Sequence, residues 1–184
     1  MIGKGSLPLS SKSSLPRQAG RALLRRMHRG DLPAFCAYRQ DPVVGRYQGW
    51  TRTSEAECLA FIDEMAGVVL FEPGAWAQVA VARADDNTLI GDVGLFVAQD
   101  LGCAEIGFTV SPGAQRQGLG SAAVAAAIDL LFEQTTVPRI LAVTDARNIA
   151  SARLLERVGM SRIESRESVF KGESCTEWVY ARYR

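Results

Sequence analysis

Apolar and polar positions alternate over three consecutive stretches in the middle of the chain. Trp76 to Arg83 (WAQVAVAR), Leu89 to Val97 and Ala104 to Val110 (AEIGFTV) each read as a strand. Asp85-Asp86-Asn87 makes the first two a hairpin, and Asp100-Leu101-Gly102 turns into the third. Ser111-Pro112-Gly113 ends that third strand. Gly118-Leu119-Gly120 leads into an Ala-rich helix, Ser121 to Glu133, which stops near Thr135-Thr136 because Pro138 bars continuation. Before this block, Ala22 to His28 predicts a first strand. Asp31 with Pro33 predicts a helix through about Arg39. Val43 to Trp50 has no clear period. Ser54 with Glu57 three residues on has the capping-box pattern, predicting a helix to about Met65. After the block come a short strand, Ile140 to Thr144, and a helix, Ala150 to Val158, opened by Asn148 and closed by Gly159. A closing hairpin, Arg162 to Lys171 and Cys175 to Tyr183, is split at Gly172.

Three consecutive strands and a closing pair, with helices between, favour an α+β fold: one mixed, mainly antiparallel sheet with helices on its faces. The 184 residues suit one domain, expected over 21–184. Residues 1–20, rich in serine with Lys4, Lys12 and Arg17 and no acid before Asp31, read as a flexible arm. A net charge of +1 gives no global argument for nucleic acid or an anionic membrane. No apolar run approaches the roughly 20 residues that cross a bilayer. Cys36, Cys58, Cys103 and Cys175 lie far apart and form no metal-like pair, so the expectation is four reduced thiols, no metal and a cytoplasmic location. His28, the only histidine, reads as a surface residue at a strand end.

The candidate chemistry lies in Ala104 to Gly120. A strand, a glycine-bearing loop and a helix start, in that order, make an anion site, because unpaired N–H groups and the helix dipole point at the ligand. Gly118 to Ala123 fits the G-x-G-x-x-A dinucleotide form, with Asp145 some 20 residues on. Against it, Ser111 to Gln117 separate Val110 from Gly118, whereas a dinucleotide loop follows its strand at once. The chain after Asp145 is also too short for a doubly wound parallel sheet.

Gln115-Arg116-Gln117-Gly118-Leu119-Gly120 resembles the Q/R-x-x-G-x-G/A motif of the GNAT acyl-CoA N-acyltransferases. Ala104 to Phe108 resembles that family's fourth strand. Asn148-x-x-Ser151, Leu154-Leu155 and Gly159-Met160 resemble its fourth-helix segment. Asp41 to Val44, Ile90 to Leu95 and Phe170 to Glu173 are similar to the RimJ/RimL-like branch. The resemblance implies an α/β/α-layered GNAT fold with about seven strands, splayed between the fourth and fifth, and four helices. It implies acetyl-CoA as co-substrate, no metal, and an amine acceptor, either a protein N-terminal amine or a small molecule, in a monomer or homodimer.

The same resemblance assigns residues. The pyrophosphate would meet Gln115, Arg116, Gln117, Gly118, Leu119, Gly120 and Ser121, with Arg116 adding charge. Phe108, Thr109 and Val110 would bond the pantetheine arm, with an N–H near Val110 polarising the thioester carbonyl. Asn148 would cap its helix and face the arm, and Leu155 would lie beside it. Glu105 is the candidate general base, with Glu167 a second. Many family members carry a tyrosine as general acid where this chain has Leu155. Ser151 could serve instead, as could solvent. A non-catalytic acyl-CoA-binding module on the same fold is the alternative. Trp50, Trp76 and Tyr47 are candidates for the acceptor wall.

Overall fold

A computed structural model describes residues 15–51 and 53–184. The strands, in chain order, are β1 (Arg17–Ala19), β2 (Ala22–Arg25), β3 (Trp76–Arg83), β4 (Leu89–Val97), β5 (Ala104–Val110), β6 (Arg139–Asp145), β7 (Ser161–Phe170) and β8 (Glu173–Tyr183). The helices are α1 (Leu32–Arg39), α2 (Pro42–Gly45), α3 (Glu55–Gly67), α4 (Leu119–Gln134) and α5 (Ile149–Arg157). All eight strands form one sheet in the order β1-β2-β3-β4-β5-β6-β8-β7. Every neighbouring pair is antiparallel except β5 with β6.

The expected mixed, mainly antiparallel sheet is therefore present, with corrections at the N-terminal side. The described residues form eight strands rather than about seven, and five α-helices rather than four. Arg17–Ala19, expected within an arm, pairs with Ala22–Leu24, and Leu15 is buried. The rest of the expected arm, 1–14, lies outside the described residues. The first predicted strand stops at Arg25, short of His28. Val43 to Trp50 contains α2, whose start is capped by the Asp41 carboxylate accepting from the Val43 N–H at 2.8 Å.

Two cores hold the layers together. On one face, α4 lays Leu119, Ala123, Val124, Ala127, Ile128 and Leu131 against Val79, Val93, Leu95 and Ile106. On the other, α1 and α3 bury Phe35, Tyr38, Cys58 and Ile62 against Met27 and Ala80. The capping box at Ser54 and Glu57 starts α3 as the sequence predicts. Arg25 and Asp31 form a buried bidentate pair at 2.8 and 2.7 Å, and the His28 N–H also donates to Asp31. This pair ties the end of β2 to the entry of α1.

The sheet opens in the middle. β5 and β6 pair only at Ala104↔Ile140 and Glu105↔Leu141, then diverge. On its other edge β5 keeps a full ladder to β4, from Ala104 to Val110. Gly91 is required there, since a Cβ on it would lie 2.1 Å from the Thr109 carbonyl oxygen.

Candidate active site

The divergence of β5 and β6 creates a groove of about 740 Å³. Ile106 to Val110 form one wall, and Ala142, Val143 and Thr144 the other. The first half of α5 closes its far side with Asn148, Ser151 and Leu154, and Tyr47 and Gln48 reach over from the segment after α2.

Antiparallel ladders alternate which residues turn their main-chain groups toward a given neighbour. The Ser111 N–H donates to the Ile90 carbonyl on β4, so Thr109 shares the β4 side while Phe108 and Val110 turn to the groove. Two side chains confirm the phase. Gln48 Nε2 donates to the Phe108 carbonyl at 3.2 Å, and Gln115 Nε2 to the Val110 carbonyl at 3.0 Å. Of the three residues expected to bond an extended ligand by main chain, Phe108 and Val110 are in place. Thr109 instead spends its backbone on β4 and buries its side chain.

The groove ends at the start of α4. Gly118 is its N-cap in the left-handed conformation (φ +78°), and Arg116 before it also has positive φ. The first intrahelical bond is from the Ala122 N–H to the Gly118 carbonyl at 3.0 Å. The N–H groups of Leu119, Gly120 and Ser121 thus precede the helical ladder, which is an anion cradle. Gly120 is there for space. A Cβ would stand 2.9 Å from Val110 Cγ2 and 3.2 Å from Leu154 Cδ1.

Arg116, Arg153 and Arg157 line this end of the groove, and Arg157 Nη1 lies 3.3 Å from Ser121 Oγ. Sequence reasoning found Arg116 and missed the other two. Their signal was available, since Ala150, Arg153, Leu154 and Arg157 follow one helical face. Gln115, Gly118, Gly120 and Ser121 also line the groove. Gln117 does not, because its carbonyl accepts from Arg21 and its amide bonds Gly113 and Arg83. Leu119 and Leu155 are 2% and 1% exposed in the core, so neither presents a side chain to the groove.

Asn148 caps α5, its Oδ1 accepting from the Ser151 N–H at 3.2 Å. Asp145, the acid that a dinucleotide reading needs, is instead clasped by its neighbour. The Arg147 main-chain N–H and guanidinium both donate to it, and these bonds hold its pKa below the usual carboxylate range.

Glu105 stands at the fork of the groove, on the last rung β5 shares with β6. It is half-buried, and desolvation pushes its carboxyl above the ordinary glutamate range. Arg166 opposes that shift and Glu177 adds to it; these two form an ion pair at 3.0 Å on the C-terminal hairpin. Glu167 is exposed, its Oε1 accepts from Thr176 at 3.1 Å, and it does not line the groove. Burial and a hydrogen bond to Cys58 push the Cys36 thiol up to about 12, and burial also raises Cys175, so neither is a thiolate nucleophile at neutral pH. Trp50 packs on Arg39 at 3.7 Å, and Trp76 lies against Phe96 at 5.4 Å.

Residues 21–161 match the family model described as "Acetyltransferase (GNAT) domain". The chain belongs to the GNAT acetyltransferase family. As a member it is an acyl-CoA-dependent acetyltransferase. Among curated relatives, the N-acetyltransferase YnaD of Bacillus subtilis (strain 168) is 27% identical over 142 residues, 77% of this chain and 80% of that one. Among solved structures, the GNAT acetyltransferase of Bacillus anthracis superposes with TM-score 0.80 at 24% identity, covering 90% of this chain and 96% of that one. RimL, a ribosomal L7/L12 alpha-N-protein acetyltransferase solved in complex with coenzyme A, superposes with TM-score 0.78 at 16% identity, covering 91% and 97%.

Proposed function

We propose that this GNAT chain moves an acetyl group from acetyl-CoA to a primary amine by direct attack. The carrying observation is the groove itself: along it Phe108 and Val110 turn their main-chain groups away from β4, their carbonyls met by the Gln48 and Gln115 side chains, with free helix N–H groups at one end and a half-buried carboxylate on the rung where the sheet opens. In this reading the pantetheine arm lies along β5 as an added strand. The pyrophosphate takes the N–H groups of Leu119, Gly120 and Ser121 and the charges of Arg116, Arg153 and Arg157. The Val110 N–H points at the thioester oxygen and stabilises the oxyanion that develops there.

Glu105 takes a proton from the acceptor ammonium, directly or through water. The neutral amine attacks the thioester carbon and the C–N bond forms; the nitrogen sheds its second proton to solvent, and the C–S bond breaks as the tetrahedral intermediate collapses to the amide. Desolvation raises the Glu105 pKa, which makes its carboxylate a readier proton acceptor than an exposed glutamate. The departing thiolate takes a proton from Ser151, which lines the groove on the first turn of α5, and Ser151 is restored by solvent. The acceptor class that fits is a protein N-terminal amine or a small amine; RimL, named for alpha-N-protein acetylation, shares the fold.

Calorimetry with acetyl-CoA and turnover against N-terminal peptides, polyamines, amino acids and aminoglycosides test the reading. Binding with turnover of one class is expected; no binding at high micromolar acetyl-CoA overturns it. A second reading, a non-catalytic acyl-CoA-binding module, draws on Leu155, whose side chain lies in the core where a family acid is expected. Tight binding with no turnover on any amine favours that one.

A further inference from the structure

A second cavity, of about 340 Å³, lies on the opposite side of the segment that carries Tyr47 and Gln48. Arg39, Arg46 and Lys171 line it, with Trp50, Gly45 and a single carboxylate, Asp41. Three cations against one acid already set its sign, and the Asp41 carboxylate is engaged in capping α2.

Arg39 is the unusual member. It is 9% exposed, with its guanidinium 3.7 Å from the Trp50 ring and 4.6 Å from the Phe35 ring. Asp92 faces it from behind, at 3.8 Å from its Nη2. Its Nε is buried and finds no protein partner among the described residues, and the same holds for Trp50 Nε1. Two buried N–H donors without a protein partner thus sit on residues that line one cavity, a deficit that a nearby hydrogen-bond acceptor would relieve. Lys171 adds to them. Its ammonium has three N–H groups, and two go to the carbonyls of Gly45 and Trp50 at 2.8 and 2.9 Å, so one is left over. Arg46, over the Tyr47 ring at 5.2 Å, completes the positive wall.

We propose that this cavity is an anion site that takes one phosphate or carboxylate group of a small ligand. The donor set is what such an oxyanion recognises: fixed N–H groups with cationic charge and no competing free carboxylate. The volume suits a small molecule. A polyamine or metal cation is excluded by the same charges. The segment from Gly45 to Trp50 forms a wall of this cavity, and the same segment sends Gln48 to the Phe108 carbonyl in the groove. Occupancy of the two sites is therefore linked through that segment, and the linkage is reciprocal. The anion site itself does not depend on the acetyl-transfer reading.

Trp50 is the probe. In a Trp76→Phe/Trp178→Phe background, its emission is titrated with inorganic phosphate, and separately with malonate, with sodium chloride balancing ionic strength. Saturating coenzyme A is added to fill the start of α4. A saturable change is expected, weakened at least fivefold by Arg46→Gln, which leaves the Lys171 bonds in place. Melting of the unaltered chain gives a second reading: phosphate should raise Tm over chloride, and Arg46→Gln should abolish the rise. A response matched by chloride alone, or a saturable one indifferent to both Arg46→Gln and Lys171→Met, overturns the site. Turnover then separates the sources. Competition of phosphate with the amine identifies a group carried by the acceptor, and an effect independent of amine concentration identifies a separate effector.

Discussion

Glu105 faces Leu141 on the last rung that β5 and β6 share before they part. The rung fixes its backbone next to the point where the groove opens, which is lined from Ile106 onward, and its carboxylate lies within electrostatic reach of Arg166 and Glu177. Glu105→Gln should lower kcat by about 10²- to 10⁴-fold, the usual span for a general base. It should also flatten the alkaline-rising limb of the pH–rate profile. An unchanged profile removes Glu105 as base.

The same residue predicts a stability effect of opposite sign. Its folded pKa is raised by desolvation, so the native state holds a proton that the unfolded chain has already released. Wild-type stability therefore falls as pH rises from the ordinary glutamate value, about 4.3, through the folded value. Glu105→Gln does not feel this loss. Its melting temperature should match or exceed wild type at pH 7, with the advantage shrinking near pH 4. A variant that melts lower at pH 7 than at pH 4, relative to wild type, contradicts the sign.

Arg153 and Arg157 should serve the donor rather than the chemistry. Truncating either to alanine removes a charge beside the free N–H groups of α4. A charged hydrogen bond contributes about 1.5–3 kcal/mol, so acetyl-CoA should bind roughly tenfold or more weakly. Affinity should also depend less on salt. Isothermal titration at two ionic strengths reads both effects. An equal fall in kcat at saturating acetyl-CoA would assign them a different role.

Gly120→Ala tests the tight approach of α4 to the groove wall. The added methyl meets Val110 Cγ2 at 2.9 Å and Leu154 Cδ1 at 3.2 Å. Overpacking of this kind costs about 1–3 kcal/mol. Lower Tm and weaker acetyl-CoA binding should appear together, because the displaced atoms belong to both core and groove.

Tyr38→Phe probes the buried polar contact between α1 and β4. Tyr38 Oη donates to Asp92 Oδ2 at 2.5 Å, and Gln78 donates to the other oxygen. Asp92 is 0% exposed, and burial with the facing carboxylate drives the Tyr38 pKa well above its usual value. Losing that donor should destabilise the chain by about 1.5–3 kcal/mol, read by denaturant unfolding. A neutral result would mean that water or Arg39 replaces the hydroxyl.

The long elements were readable because their periods were strong. WAQVAVAR and AEIGFTV became β3 and β5 with the predicted bounds, and the caps at Ser54, Asn148 and Gly159 are where turn chemistry put them. β1 and α2 were not readable, since three or four residues are too few to show a period, and both owe their shape to neighbours. Within the site, the motif named Leu119 and Leu155 by position in a pattern, whereas helix phase buries both side chains and leaves Leu119 only its main-chain N–H to offer. Ala152 and Leu155 share the core face of α5, while Ser151 and Leu154 share the groove face. Gln48 carried no local signal, because its role depends on a strand 60 residues away.

The two-rung junction between β5 and β6 has a mechanical meaning. Beyond Glu105 the sheet is two half-sheets with a missing strand between them, and in the proposed reading the pantetheine arm is that strand. The donor would then be a structural member as well as a reagent. Its binding would add to folding stability as RT ln(1 + [L]/Kd), about 2.7 kcal/mol at a hundredfold excess over Kd. Amide protons of Phe108 and Val110 would exchange slowly only while the cofactor is bound. The cell's acetyl-CoA level would thus set how long the chain lasts, as well as how fast it works.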